Sequence, residues 1–330
     1  MRIVFAGTPD YAVPSLRAIH ALAPWHEVVA VVTQPDRPKG RSGEASPPPV
    51  KAAALELGFP DSAIFQPPSF NRSDHLAALR ALKPDLFCII AYGGLLKDEA
   101  LALPAKYPLN AHASLLPKHR GAAPIQAALL AGDSETGVCI MKMVRALDAG
   151  PVMWRERLIV RPTDTAGTLH DALAELSARG FVEAIAIVET GTERFESQDD
   201  AQSTYAPKLD KDTGTLDWSR EAAYLERFVR AMTPWPGAWT EAHAAEGKPI
   251  RLRVARATPT GDPRPAGAKP GCAWVAGIGS KSERWCVACG SGTLELLDVQ
   301  PAGKQAMPVA AFLRGAGRAM REGARLGACV

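Results

Sequence analysis

The sequence predicts an α/β protein: a doubly wound, Rossmann-like, mostly parallel sheet, followed by a small C-terminal β-barrel of the OB type. Two observations point to the sheet and the barrel, and a third to their separation. In the first half, near-continuous aliphatic runs alternate with amphipathic helical stretches, as parallel strands buried on both faces and joined by helices require. The last third is built of short strand-like segments punctuated by Gly and Pro, a spacing that suits a small barrel. At 330 residues the chain exceeds one ordinary core, since domains commonly run to about 150 residues.

The expected strands of the sheet are RIVFAG (2–7), EVVAVVT (27–33), DLFCIIAY (85–92) and GVCIMKMV (137–144). Helical stretches fall between them: PSLRAIHAL (14–22), VKAAALELG (50–58), SDHLAALRAL (73–82) and APIQAALLAG (123–132). The last has Pro124 near its start and Gly132 just past its end, the usual asymmetry of helix termini. A long helical region, 168–190, completes a first domain of residues 1–190. The polar, turn-rich stretch that follows reads as a linker, set at 191–206, before a second domain at 207–330. That domain opens with the amphipathic helix 219–232, with Ser219 as expected N-cap and Leu225, Phe228, Val229 and Met232 as its apolar stripe. PIRLRVARA (249–257), CAWVAG, RWCVACG and TLELLDVQ are its strands, and small Greek-key barrels of about five strands often bind oligonucleotides.

Composition excludes several classes. No run of about 18 apolar residues exists to span a membrane, and the opening MRIVFAGTPD enters a strand without a signal-peptide pattern. A cytoplasmic protein is expected. Six cysteines in a chain of this size are no disulfide framework. Cys286 and Cys289 have a zinc-like spacing, but no second pair or His matches it, and residues three apart on a strand face opposite sides. No metal is expected. Net charge is unevenly divided: residues 1–206 hold 20 Lys and Arg against 23 Asp and Glu, and residues 207–330 hold 18 against 12. The basic back half suits a polyanionic partner, or simply a solvated face.

Ligands of doubly wound sheets sit beyond the carboxyl ends of the strands, so residues just after strands matter most. In Leu109-Asn110-Ala111-His112-Ala113-Ser114, three polar residues alternate with apolar or small ones. On extended backbone Asn110, His112 and Ser114 share a face. An isolated histidine there is more often a hydrogen-bonded core residue; the adjacent Asn and Ser favour a site. Asp148, directly after the strand 137–144 and two residues before Gly150, reads by itself as a turn residue. Together the two segments make a joint site.

NAHASLLP with Arg120-Gly121-Ala122-Ala123-Pro124-Ile125-Gln126 closely resembles the signature of the folate-dependent formyltransferases. The resemblance implies transfer of a formyl group from 10-formyltetrahydrofolate to an amine, with Asn110, His112 and Asp148 as the catalytic trio. It also implies a folate-binding loop at Ser114, Leu115, Leu116 and Pro117. IIAYGGLL (89–96) is similar to the segment whose backbone holds the pterin, which adds Ile90, Tyr92, Gly93 and Leu95. RIVFAGTPDYAVPSL, TQPDRPKGR, TYAPKL, PWPGAW and LDVQPAGKQAM follow in order the pattern of the branch acting on methionyl initiator tRNA. In that branch the loop after the second strand enters the tRNA acceptor stem. Here it spans about Gln34 to Pro49 and carries Arg37, Lys39 and Arg41, while Arg251, Arg253 and Arg256 on one barrel strand would add phosphate contacts. A monomer is expected.

The chain also departs from the pattern. Ser42-Gly43-Glu44-Ala45 stands where lysines are usual, Val144 and Ala146 precede Asp148 where an acidic residue and a glycine are usual, and His119 replaces an aromatic residue. The trio would equally serve formyl transfer to an amino sugar nucleotide or a glycinamide ribonucleotide, or hydrolysis of the formyl-folate. A nicotinamide oxidoreductase would need G-x-G-x-x-G after the first strand, where Gly7-Thr8-Pro9 stands. A non-catalytic RNA-binding module would leave Asn110, His112 and Asp148 idle.

Overall fold

A computed structural model describes residues 1–38, 45–279 and 283–327. Lys39 and Arg41 lie outside the described residues. The chain divides into two compact units: Met1–Ile125, Ser134–Val160 and Thr168–Pro207 in the first, and Gln126–Asp133, Arg161–Gly167 and Lys208–Val330 in the second. No helix among the described residues is long and apolar enough to cross a membrane.

The first part of the chain runs β1 (Arg2–Gly7), α1 (Val13–His20), β2 (Glu27–Val32), β3 (Arg37–Pro38), β4 (Ala45–Ser46), α2 (Pro49–Glu56), β5 (Ile64–Phe65), α3 (Ser73–Ala81), β6 (Leu86–Ile90), α4 (Asp98–Leu101) and β7 (Tyr107–His112). It continues through β8 (Arg120–Gly121), α5 (Pro124–Ala131), β9 (Glu135–Lys142), β10 (Val152–Ile159), α6 (Ala166–Thr190) and β11 (Tyr205–Ala206). Seven strands form one sheet in the order β10-β9-β7-β6-β1-β2-β5. The four pairings from β7 through β6, β1 and β2 to β5 are parallel. β1 and β6 are buried almost throughout, and Phe70, Leu76 and Leu79 pack with them into one core cluster. The chain lays strands to one side of β1 and then crosses to β6 on the other, so β1 and β6 flank the switch point.

One direction differs from expectation. The strand read at 137–144 as parallel is β9, which runs antiparallel to β7. Its interior is buried on both faces, and two-sided burial gives the same aliphatic run in either direction. The unanticipated β10 pairs antiparallel with β9. Asp148 therefore lies on the turn between two antiparallel strands rather than beyond a parallel one.

The second unit contains α7 (Ala222–Ala231), β12 (Ala238–Ala244), β13 (Ile250–Thr260), β14 (Cys272–Ala276), β15 (Arg284–Ala288), β16 (Thr293–Pro301), β17 (Met307–Pro308), α8 (Val309–Arg314) and β18 (Ala324–Leu326). Six strands close in the order β13-β12-β18-β14-β15-β16, sealed by β13–β16 pairing, with β17 outside the ring. β12 begins at a glycine turn and β18 is three residues long, too short for a periodicity to show. Trp285 and Phe312, both fully buried with ring centroids 5.6 Å apart, fill the core. The helix starts three residues later than read: Ser219 bonds Asp217 instead of capping it, and Glu221 is the N-cap without a side-chain bond. Leu225, Phe228, Val229 and Met232 are buried as the stripe required.

Candidate active site

β7 places Asn110 and His112 two residues apart, hence on one face. The Asn110 side chain is half-buried and makes no hydrogen bond with any described residue, which leaves its amide free for a ligand. His112 is buried and held from one side, with Nε2 at 2.9 Å from the His119 carbonyl oxygen. A carbonyl only accepts, so Nε2 carries the hydrogen. Nδ1 is then the nitrogen facing Asp148, whose Oδ2 stands 3.7 Å away. That gap is longer than a hydrogen bond, so Nδ1 is the ring atom available to a reactant.

Asp148 reaches this position because the turn 143–151 folds back. It leaves β9 with Met143 donating to the Pro108 carbonyl (2.8 Å), and Lys142 donates to the Pro151 carbonyl (3.0 Å) as the chain returns. Asp148 itself has φ +49°, the left-handed region that Asp tolerates better than most residues but that still costs about 1–3 kcal/mol. Gly121 N–H donates to Asp148 Oδ2 at 2.8 Å. The Gln198 amide donates to the carbonyls of Asp148 (2.8 Å) and Gly150 (2.7 Å). Both glycines are dictated by contact. A Cβ on Gly150 would fall 1.7 Å from the Lys142 carbonyl oxygen, and one on Gly121, at φ +115°, 2.5 Å from that of Ala206.

The stretch read as a linker contributes much of this. Glu196 exchanges two backbone bonds with Val152 at 2.8 Å. Tyr205–Ala206 pairs with Arg120–Gly121 as a small parallel ladder. Thr204 Oγ1 accepts from His119 N–H at 2.8 Å and so fixes the carbonyl that holds His112. Gln198 and Thr204 were not anticipated. TYAPKL begins at Thr204 but gave it no role, whereas Gln198 lies in an unpatterned polar run with no signal of its own.

The expected folate residues fall into two groups. β7 ends at His112, so Ser114 does not continue its face; its hydroxyl is buried and donates to the Lys118 carbonyl at 2.6 Å. Leu116 packs with Cys139, Met141 and Val152, while Leu115 and Pro117 are half-buried. In the second group Ile90 ends β6 in the core, Gly93 has φ +81°, and Leu95 is 79 % exposed. Tyr92 packs edge-on against Phe70 with centroids 5.4 Å apart. Its hydroxyl has no partner among the described residues, and burial pushes it up to about 12. The Thr8 hydroxyl donates to the Tyr92 carbonyl at 2.8 Å, tying the segment after β6 to the one after β1 at the switch point.

The expected phosphate contacts are unequal. Arg37 is exposed on β3, opposite Ser46 of β4. At the preceding residue, Lys51 bonds Asp36 (2.8 Å) and Gln66 (2.7 Å), and Gln66 bonds Asp36 (2.6 Å). Arg251 is exposed, with its guanidinium over the Trp239 ring at 5.0 Å. Arg253 is half-buried, donating to Gln300 (3.3 Å) and the Pro234 carbonyl (3.0 Å), and burial lowers its pKa. Arg256 pairs with Asp298 at 2.7 Å. The Cys286 thiol lies 3.8 Å from Asp262 and that of Cys289 3.6 Å from the Val287 carbonyl, so the pair is directed at separate partners.

Residues 1–185 match the family model described as Formyl transferase, and residues 208–317 that described as Formyl transferase, C-terminal domain. A methionyl-tRNA formyltransferase of Desulfotalea psychrophila is 45 % identical over 96 % of this chain and 93 % of its own. One from Neisseria meningitidis is 43 % identical over 99 % of this chain and 100 % of its own. Among solved structures, a sugar 3-N-formyltransferase crystallised with dTDP and 5-N-formyltetrahydrofolate shares the fold at 14 % identity, with a TM-score of 0.62 over 92 % of this chain and 99 % of its own. Methionyl-tRNA formyltransferase from Clostridium thermocellum does so at 14 % identity and a TM-score of 0.52, over 78 % of this chain and 93 % of its own. With both family models matched in order and relatives above 40 % identity along nearly its whole length, this chain belongs to the formyl transferase family.

Proposed function

We propose that this chain transfers the formyl group of 10-formyltetrahydrofolate to the α-amino group of methionine on initiator tRNA, giving N-formylmethionyl-tRNA for translation initiation, and that it works as a cytoplasmic monomer. The observation that carries the reading is the approach of Asp148 to His112 Nδ1 at 3.7 Å, beside the free amide of Asn110 on the same strand. The family membership and the names of the full-length relatives support the choice of reaction and acceptor.

The reaction joins the amine nitrogen to the formyl carbon, breaks that carbon's bond to N10 of the folate, and moves one proton from the amine to N10. Negative charge grows on the formyl oxygen in between. The Asn110 amide N–H donates to that oxygen, and removing such a donor typically costs on the order of 10²–10³ in rate. His112 Nδ1, unoccupied in the neutral ring because Nε2 holds the hydrogen, takes the amine proton or, once protonated, donates to the same oxygen. Asp148, fixed by Gly121 N–H, stabilises the charged imidazole. Ser114 to Pro117 and Ile90, Tyr92, Gly93 and Leu95 border the folate, with the chain after Ile90 offering backbone groups to its pterin. Arg37 and Arg251 contact tRNA phosphates, and Lys39, Arg41 and Arg253 complete the proposed contact set.

Purified protein is incubated with 10-formyltetrahydrofolate and methionyl initiator tRNA, in parallel with free methionine and an amino sugar nucleotide, and with His112→Ala beside the parent chain. Formyl on the charged tRNA alone, lost in the variant, is the expected result. Formyl on a small amine, or folate hydrolysed with no transfer, would overturn the acceptor or the reaction respectively.

A further inference from the structure

We propose that Gln198 is a positioning residue for Asp148, holding the turn that aims its carboxylate at His112; this rests on the reading of Asn110, His112 and Asp148 as the reacting trio. The Gln198 amide spends both of its N–H groups on one short piece of backbone, the carbonyls of Asp148 (2.8 Å) and Gly150 (2.7 Å). Its oxygen accepts two bonds from Arg120, through Nε at 3.1 Å and Nη2 at 2.8 Å. A guanidinium only donates and carbonyls only accept, so these partners fix which end of the amide is nitrogen. Arg120 Nη2 also meets Asp200 at 2.7 Å, which steadies the fork from its outer side.

These contacts form a closed circuit. The side chain of Arg120 holds Gln198, Gln198 holds the Asp148 backbone, and the next backbone N–H after Arg120, that of Gly121, holds the Asp148 carboxylate at 2.8 Å. Two adjacent residues thus grip Asp148 at main chain and side chain. The turn needs such a grip. Residues 144–147 are exposed and Asp148 sits at φ +49°; the backbone bonds at Lys142 and Met143 close the base of the turn, and within it Ala149 N–H meets the Ala146 carbonyl only at a long 3.4 Å. With the carboxylate 3.7 Å from Nδ1, the register between the two groups depends on the position of residue 148. Misplacement by about 1 Å at a reacting centre can cost on the order of 10² in rate.

Gln198→Glu is the sharpest variant, because it keeps the shape and the Arg120 partnership but sets an acceptor against two carbonyls. Gln198→Met removes the donors without adding charge. Formyl transfer is measured with saturating and limiting concentrations of each substrate, together with thermal melting. The expected result is a fall in kcat on the order of 10²-fold, with KM for methionyl-tRNA and for the folate and the melting temperature near those of the parent. In an Asp148→Asn background the same Gln198 changes should lower the residual rate by less than three-fold, since a residue that acts through Asp148 has nothing left to position. A parent-like kcat, or a full loss repeated in the Asp148→Asn background, would overturn the assignment. So would loss of cooperative melting in both variants, which would make Gln198 a folding residue. A parent chain that moves no formyl to any amine would instead overturn the reaction itself, and this proposal with it.

Discussion

The turn around Asp148 and barrel strand β13 both present charged side chains, but they secure them differently. Asp148 has its carboxylate held by Gly121 N–H and its carbonyl, with that of Gly150, held by the Gln198 amide, on backbone in a left-handed conformation. On β13 the backbone is a regular ladder apart from bulges near Arg256, and among the described residues each arginine side chain meets one or two groups: Trp239 for Arg251, Gln300 and Pro234 for Arg253, Asp298 for Arg256. The difference fits the two tasks proposed for these residues. Proton transfer and oxyanion binding depend on a few tenths of an ångström and need an over-determined frame. Attraction to a phosphate backbone is spread over many cations and tolerates loose ones.

The largest effect should come from breaking the turn's chemistry. His112→Ala and Asp148→Asn should each lower formyl transfer on the order of 10²–10⁴-fold, read as kcat with methionyl-tRNA, while melting like the parent. A loss confined to KM would place these groups in binding and erase the contrast with β13. On the barrel side the comparable energy lies in packing. Phe312→Ala, which empties a fully buried ring site beside Trp285, should cost about 3–5 kcal/mol of stability by urea unfolding. A cost below 1 kcal/mol would mean the barrel core collapses around the gap.

These regions also differ in how far they could be read in advance. The parallel strands, the buried stripe of α7 and the likeness of NAHASLLP to a formyltransferase signature were legible because burial and local chemistry leave marks on consecutive residues. Strand direction was not, since β9 looks the same run either way, and β18 is too short for any period to register. Gln198 is the clearest case of the illegible. It acts 50 residues away in sequence, from a polar stretch whose composition says only that it avoids the core. Arg253 errs the other way: Arg251 and Arg253 share a face by alternation, but only the structure shows that one guanidinium is turned to Gln300 and Pro234.

A smaller effect is expected from the loose side of the comparison. Arg251→Ala should weaken tRNA binding by about the same factor on any tRNA and reduce the slope of log affinity against log salt by roughly one unit. A change in discrimination among tRNAs, with the salt slope intact, would show that Arg251 is positioned as firmly as Asp148.

The cluster beside Arg37 tests the comparison at its margin, because it is partly exposed like the arginines of β13 but multiply bonded like Asp148. Gln66 first and Lys51 second hold the Asp36 carboxyl below its ordinary value. A carboxyl whose folded value is depressed contributes stability that is fully present above the unfolded value of about 3.9 and is lost as pH falls through the lowered folded value. Gln66→Leu removes that carboxyl's first-ranked partner, so it should destabilise the chain at pH 7 by about 1 kcal/mol or less. The gap between parent and variant should narrow as pH falls below about 4, measured as the difference in urea midpoints. A gap that stays constant from pH 7 down to acid would mean that Gln66 acts through packing or through the Gln34 carbonyl it also bonds at 2.9 Å. The contribution of Gln66 to this corner would then owe nothing to the Asp36 charge.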